Sequence, residues 1–113
     1  AGDFSRVIAV FQPHRFTRTQ AVAEEFEGAF GEAEVVLVSD IYPAGETPLP
    51  GVTGELVSAA VSRGRAPGTV IYRATLDEIA EELGGLLRPG DLCLTMGAGD
   101  LTELPDALLA RFR

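Results

Sequence analysis

The sequence predicts an α/β fold: a Rossmann-like three-layer sandwich with a mainly parallel sheet, in β-α-β-α-β-α-β-α order. Three observations predict it. Four short apolar runs rich in β-branched residues recur along the 113 residues. A stretch with helical spacing of apolar residues follows each run. The runs are near-continuously apolar rather than alternating, which is how strands read when both faces of their sheet are covered. A chain of this length makes a single domain over 1–113, and its 46% hydrophobic residues suffice for one core and exclude a disordered chain.

The elements follow in order. RVIAVF (6–11) reads as a buried strand. Thr17 is then the expected cap of a helix over about 18–30, with Val22, Phe26 and Phe30 four residues apart on one face. EVVLVS (34–39) is the second strand. DIYPAGETPLPGV has no periodicity and reads as a long loop. TGELVSAAVSRG begins a helix at a Thr53 cap and ends it at Gly64, a residue suited to the position just past a helix end. GTVIYR (68–73) is the third strand. TLDEIAEELGGLL carries a capping-box pattern, Thr75 with Glu78 three residues on, and an apolar face of Leu76, Ile79, Ala80, Leu83 and Leu87. After PGD comes a fourth strand, LCLTM (92–96). GAGD then turns into a last helix over about 102–112, where Pro105 fits only in the first turn. Glu55, Glu78, Glu81 and Glu82 read as solvated helix faces.

Composition excludes several functions. The formal net charge of −8 argues against nucleic acid and anionic membranes as partners. All nine basic residues are arginine, so no P-loop lysine or Schiff-base lysine exists in this chain. Cys93, the lone cysteine, allows no internal disulfide and reads as a buried structural thiol, which fits the cytoplasm. No Cys/His cluster is present to hold zinc, and no metal ligand set is expected. No apolar run approaches the roughly 18 residues of a membrane span, and AGDFSR does not read as a secretion signal.

Three unusual loops each follow a strand: QPHRFTR, DIYPAGETPLPG and GAGD. In an open parallel sheet such loops share one rim, where ligands bind. The second is longer than a plain connection needs. Arg15 and Arg18 lie three apart, so they either grip a carboxylate or phosphate together or pair structurally with Asp40 or Glu46. The start of the first helix adds N–H groups that favour an anion. His14 is either a donor to a ligand or a brace for its loop. Gly97 and Gly99 allow close approach of backbone to a phosphate. But Thr102 leaves a G-x-G-x-x-G fingerprint incomplete, and a tight turn capped by Asp100 is the better reading. Tyr42 and Pro43 pack the loop down, and Glu46 either answers a cation or an amine or is simply solvated.

VFQPHRFTRT, DIYPAGETPLPG and GDLCLTMGAGD together resemble the C-terminal domain of the UDP-N-acetylmuramate–L-alanine ligases, within the Mur ligase family. The resemblance covers nearly the whole chain in the family's order and spacing, with Phe16 where tyrosine is commoner. It implies a cytoplasmic, three-domain enzyme of peptidoglycan precursor synthesis, serving cell-wall formation, cell shape and division. The first domain binds the UDP-sugar, the central one binds ATP through a P-loop, and the third closes over the site. ATP, with magnesium, activates the lactyl carboxylate of UDP-N-acetylmuramate as an acyl phosphate, which the L-alanine amine attacks. Carried onto this sequence, the family's motif falls on His14, Arg15 and Arg18, facing the cleft shared with the central domain. Asp40, Tyr42, Glu46, Gly97 and Gly99 are further loop contributors. With no engine of its own, the chain is expected to be catalytically inactive in isolation and to bind no cofactor. The alternative is a free-standing anion- or nucleotide-binding or regulatory module that shares the fold.

Overall fold

A computed structural model describes residues 6–97. The apolar runs form the strands. β1 (Arg6–Gln12) pairs in parallel with β2 (Val35–Val38) on one side and with β4 (Asp91–Gly97) on the other, and β2 pairs in parallel with β3 (Val70–Tyr72). The four-stranded sheet therefore runs β3-β2-β1-β4. Between the strands lie α1 (Phe16–Val22), α2 (Glu55–Ser62) and α3 (Leu76–Leu86). This is the α/β architecture that the sequence predicts.

Side chains alternate across a strand, so each strand feeds two cores. Ile8, Val10 and Leu37 point to the face covered by Ile79, Ala80 and Leu83 of α3. Ala9, Val36 and Val38 point to the opposite face, against Val57 and Val61 of α2 and Ala23 just after α1. Right-handed crossovers account for the split. The chain steps from β1 to β2 to β3 in one direction, then returns past β1 to β4, which sends α3 to the other face. The order reverses between β1 and β4, and this is where an open sheet of this kind leaves a crevice.

Some boundaries differ from expectation. The helix expected over 18–30 ends at Val22 and tightens into one 3₁₀ turn, Ala23–Phe26. Gly28 and Phe30 then take positive φ angles of 83° and 61°, which no helix continues through. What holds this exit is aromatic packing and one guanidinium. Phe11 lies against Phe26 and Phe30, with ring centroids 5.0 and 5.7 Å apart. Arg65 donates to the carbonyls of Phe30 (3.0 Å) and Ala33 (2.6 Å), pinning the turn that follows. Thr17 does not cap α1; the cap position is Arg15, which offers no side-chain hydrogen bond. Thr53 sits one residue before the cap position of α2, Gly54, yet its hydroxyl still accepts from the Glu55 N–H at 3.1 Å.

At α3 the expected capping box is complete: the Glu78 N–H donates to Thr75 Oγ1 (3.2 Å) and the Thr75 N–H to Glu78 Oε1 (3.1 Å). Glu78 is thus a cap, and Glu82 is half-buried in an ion pair with Arg73 at 2.6 Å, so neither is merely solvated; Glu55 and Glu81 are exposed. Cys93 is half-buried rather than buried, because β4 is an edge strand; burial still pushes its thiol up. The expected turn at Gly99 and Asp100 and the helix over 102–112 lie outside the described residues. No described helix is long and apolar enough to cross a membrane.

One ion pair ties the amino end of the sheet. Arg6 donates through Nε (3.0 Å) and Nη2 (2.6 Å) to both oxygens of Asp91, and Nη2 also reaches the Leu86 carbonyl at the end of α3. The Asp91 side chain is only 2% exposed. The Arg6 hydrogen bonds hold its carboxyl below the usual range, more than enough to offset the effect of burial. A carboxyl whose pKa is depressed by folding adds stability above the unfolded value, and that stability is lost as pH falls through the native one. Asp91→Asn is therefore expected to be less stable than the parent at pH 6, with the gap shrinking as pH falls below about 4. Urea midpoints across pH 2–6 measure this; a gap that stays constant with pH contradicts it.

Candidate functional site

The pairing of β1 with β2 does not stop at the strand ends. The Ser39 N–H donates to the Phe11 carbonyl (3.0 Å), Tyr42 to Pro13 (2.9 Å) and Arg15 to Tyr42 (2.8 Å). His14 and Tyr42 form a parallel bridge, and their rings stack with centroids 5.9 Å apart and planes 13° apart. Two loops that leave the carboxyl ends of neighbouring strands are thereby zipped together. His14 is half-buried in this stack, so it braces its loop, while its edge lines the crevice beside β4.

The turn into α1 is strained. Arg15 has φ 68° and ψ 141°, a conformation that non-glycine residues rarely adopt and that costs about 1–3 kcal/mol. Three sets of hydrogen bonds hold it. The Arg15 N–H is taken by Tyr42. The Arg15 carbonyl accepts from the Thr19 N–H (3.1 Å) and from Thr19 Oγ1 (2.7 Å). The next two N–H groups, Phe16 and Thr17, donate to Glu46 Oε1 at 2.6 and 3.2 Å, and the Thr17 hydroxyl donates to Oε2 at 2.5 Å. Glu46 is thus the cap that Thr17 was expected to be. The Thr17 hydroxyl is the largest of the effects that keep the Glu46 carboxyl below its ordinary range, aided by both N–H groups and by the charge of Arg15. The helix N–H groups expected to receive a ligand anion are already occupied by this carboxylate.

Arg15 and Arg18 are exposed, and neither forms an ion pair with a described acid. Asp40 does not pair with them. Its Oδ1 accepts from the N–H groups of Ile41 and Gly54, both at 2.9 Å, which folds the long loop back on the start of α2. The Tyr72 hydroxyl lies near the Asp40 charge, and its pKa is pushed up to about 12, chiefly by burial. Asp40 is a brace of the loop.

A cleft of about 340 Å³ opens where the strand order reverses. Phe11, Val22 and Phe26 form its apolar floor. Gln12, Pro13, His14 and Gly97 line it from the carboxyl ends of β1 and β4, and Arg18 and Thr19 from α1. The structure thus brings His14, Arg18 and Gly97 to one cleft and sets Arg15, Tyr42 and Glu46 beside it. Gly99 lies outside the described residues. Sequence reading missed Thr19 and the phenylalanine floor; the i, i+4 spacing of Arg15 and Thr19 was the one local signal for the former.

No protein-family model matches the chain. The UDP-N-acetylmuramate–L-alanine ligase of Pelotomaculum thermopropionicum is 46% identical over 110 residues, 96% of this chain and 23% of that protein. Its namesake from Streptomyces avermitilis is 46% identical over 98% of the chain and 23% of the relative, and that from Anaeromyxobacter dehalogenans 48% identical over 93% and 22%. The chain belongs to this ligase family. It spans less than a quarter of the length of these relatives.

Gly54 shows how closely the long loop is packed. A Cβ there would fall on the Ser39 carbonyl oxygen, with the Asp40 Cα 3.1 Å away, and backbone cannot yield as a flexible side chain can. Gly54→Ala is expected to destabilise the fold by about 1–3 kcal/mol in urea unfolding; a change below about 0.5 kcal/mol contradicts this packing.

Proposed function

We propose that the chain is the third, C-terminal domain of an ATP-dependent ligase that joins L-alanine to the lactyl carboxylate of UDP-N-acetylmuramate. One observation carries this beyond the family assignment. In a chain of net charge −8, Arg15 and Arg18 are turned outward at the sheet's switch point and left unpaired by the described acids. Cations placed there suit an anion that arrives from outside, across a cleft shared with a neighbouring domain.

In this reading the lactyl carboxylate attacks the γ-phosphorus of ATP and ADP leaves. The alanine nitrogen then attacks the acyl carbon and gives up a proton as phosphate departs. This chain supplies no nucleophile. Arg15 and Arg18 hold the alanine carboxylate or phosphate oxygens, and they stabilise the negative charge that develops in the tetrahedral intermediate. Guanidinium forks fit both anions. Magnesium does not suit this rim. Its two described carboxylates, Asp40 and Glu46, already face N–H and O–H donors of the chain. The metal and most of the ATP contacts therefore belong to the central domain, which supplies the P-loop lysine that this lysine-free chain lacks. The isolated chain accordingly turns over no ATP, and the setting of the reaction is the cytoplasm.

Arg18→Ala in the full-length ligase tests the assignment. An exposed arginine with no described partner costs less than about 1 kcal/mol of folding when truncated. A lost charge-assisted contact to a substrate anion costs more, about 1.5–3 kcal/mol, or roughly ten- to a hundredfold in kcat/KM. The expected variant melts normally and works poorly. One that melts early but is fully active when cold makes Arg18 a structural residue and overturns the reading.

A further inference from the structure

We propose that Glu46 is a positioning residue for the two rim arginines: its carboxylate holds the strained Arg15 backbone and the first turn of α1 in the arrangement that sets Arg18 in the wall of the cleft and Arg15 beside it. This rests on the anion-binding reading above and adds a residue that acts on the site without touching the ligand.

The geometry supports it from three sides. The φ of 68° at Arg15 is a conformation the residue does not choose for itself. α1 has no cap from its own neighbourhood, and Glu46 supplies one from 30 residues along the chain. Its two oxygens are fully employed: Oε1 accepts from two successive N–H groups and Oε2 from the Thr17 hydroxyl. The fork fixes the direction of the first helical turn relative to the 40–54 loop. Arg18 lies on that turn and lines the cleft.

Occupation of these N–H groups also has a chemical consequence. An anion entering the cleft meets the guanidinium groups and not the backbone donors. Glu46 shields the helix start, and its charge lies beside Arg15 without forming an ion pair with it. A residue without a side-chain oxygen in its place would release both N–H groups as competing anion donors and let the turn at Arg15 relax. Either change moves the cations from the positions at which the substrate meets them.

The test uses the full-length ligase, with hydrogen exchange read by mass spectrometry and steady-state kinetics, comparing the parent with Glu46→Ala, Glu46→Gln and Arg18→Ala. Glu46→Ala is expected to speed exchange across residues 16–19 and to reduce kcat/KM for the amino acid by between about ten- and a hundredfold, as misplacement by an ångström does. Glu46→Gln keeps an oxygen for the two N–H groups and is expected to restore most of both. If Glu46→Ala fails to fold, Thr17→Val, which removes only the hydroxyl contact, is expected to show a smaller loss of the same kind. Normal kinetics in Glu46→Ala beside an impaired Arg18→Ala overturns the positioning role alone. So does a kinetic loss without faster exchange, since Glu46 would then act on the ligand directly. An unimpaired Arg18→Ala overturns the anion reading on which the proposal rests.

Discussion

The hydrogen bonds from Phe16 and Thr17 to Glu46 join the start of α1 to a loop that the chain reaches only after a further strand. Without them the first turn of α1 has no cap, and the Arg15 backbone sits in a conformation that costs about 1–3 kcal/mol with less to hold it. Neutral hydrogen bonds of about 0.5–1.5 kcal/mol each, from Arg15 to Tyr42 and from Thr19 to Arg15, offset part of that strain. The carboxylate fork adds direction to this arrangement. Direction matters here because a guanidinium two or three bonds out of line meets its anion badly. The rim is best understood as one unit built from two loops, with its backbone zipped by Tyr42 and its helix start closed by Glu46.

Topology decides where that unit sits. Because β4 returns to the far side of β1, the loop after β1 has neighbours on both sides: the 40–54 loop over β2, and the end of β4 at Gly97. The first contact braces it and the second opens the cleft. The acidic surface elsewhere makes the two rim arginines stand out. Arg6, Arg63, Arg65 and Arg73 are all engaged within the described chain, in ion pairs or on carbonyl oxygens. Arg15 and Arg18 at the switch point form no ion pair with a described acid, and nor does Arg88 just before β4. Four arginines bind their own chain, and the rim pair forms no ion pair with the described acids.

What was legible in the sequence follows from how local each feature is. The capping box of α3 is an i, i+3 pattern, and it forms as read. The apolar strands carry their own signal in β-branched runs, and their parallel pairing follows from the helices between them. The strand order β3-β2-β1-β4 was not readable, since nothing local says on which side of β1 the last strand inserts. The cap of α1 was misassigned to Thr17 for the same reason, as its true partner is distant in sequence. The overlong first helix was a failure of periodicity. Phe26 and Phe30 do share an apolar cluster, but through a turn at Gly28 and not along one helical stripe, and Val22 lines the cleft instead. In the candidate site, the residue types were legible and their division of labour was not. Asp40 and Glu46 serve backbone donors, while Arg15 and Arg18 stay outside every described ion pair.

The central claim is that the rim arginines are held ready by their backbone and kept free of ion pairs with the described acids. Nitrogen-detected NMR of the arginine side chains measures it directly. The Nε–H protons of Arg6 and Arg65 donate within the fold and are expected to exchange slowly with water. Those of Arg15 and Arg18 are expected to exchange at the rate of a free guanidinium and to shift when inorganic phosphate is added. Protection of Arg15 or Arg18 equal to that of Arg65, with no response to phosphate, would contradict the account.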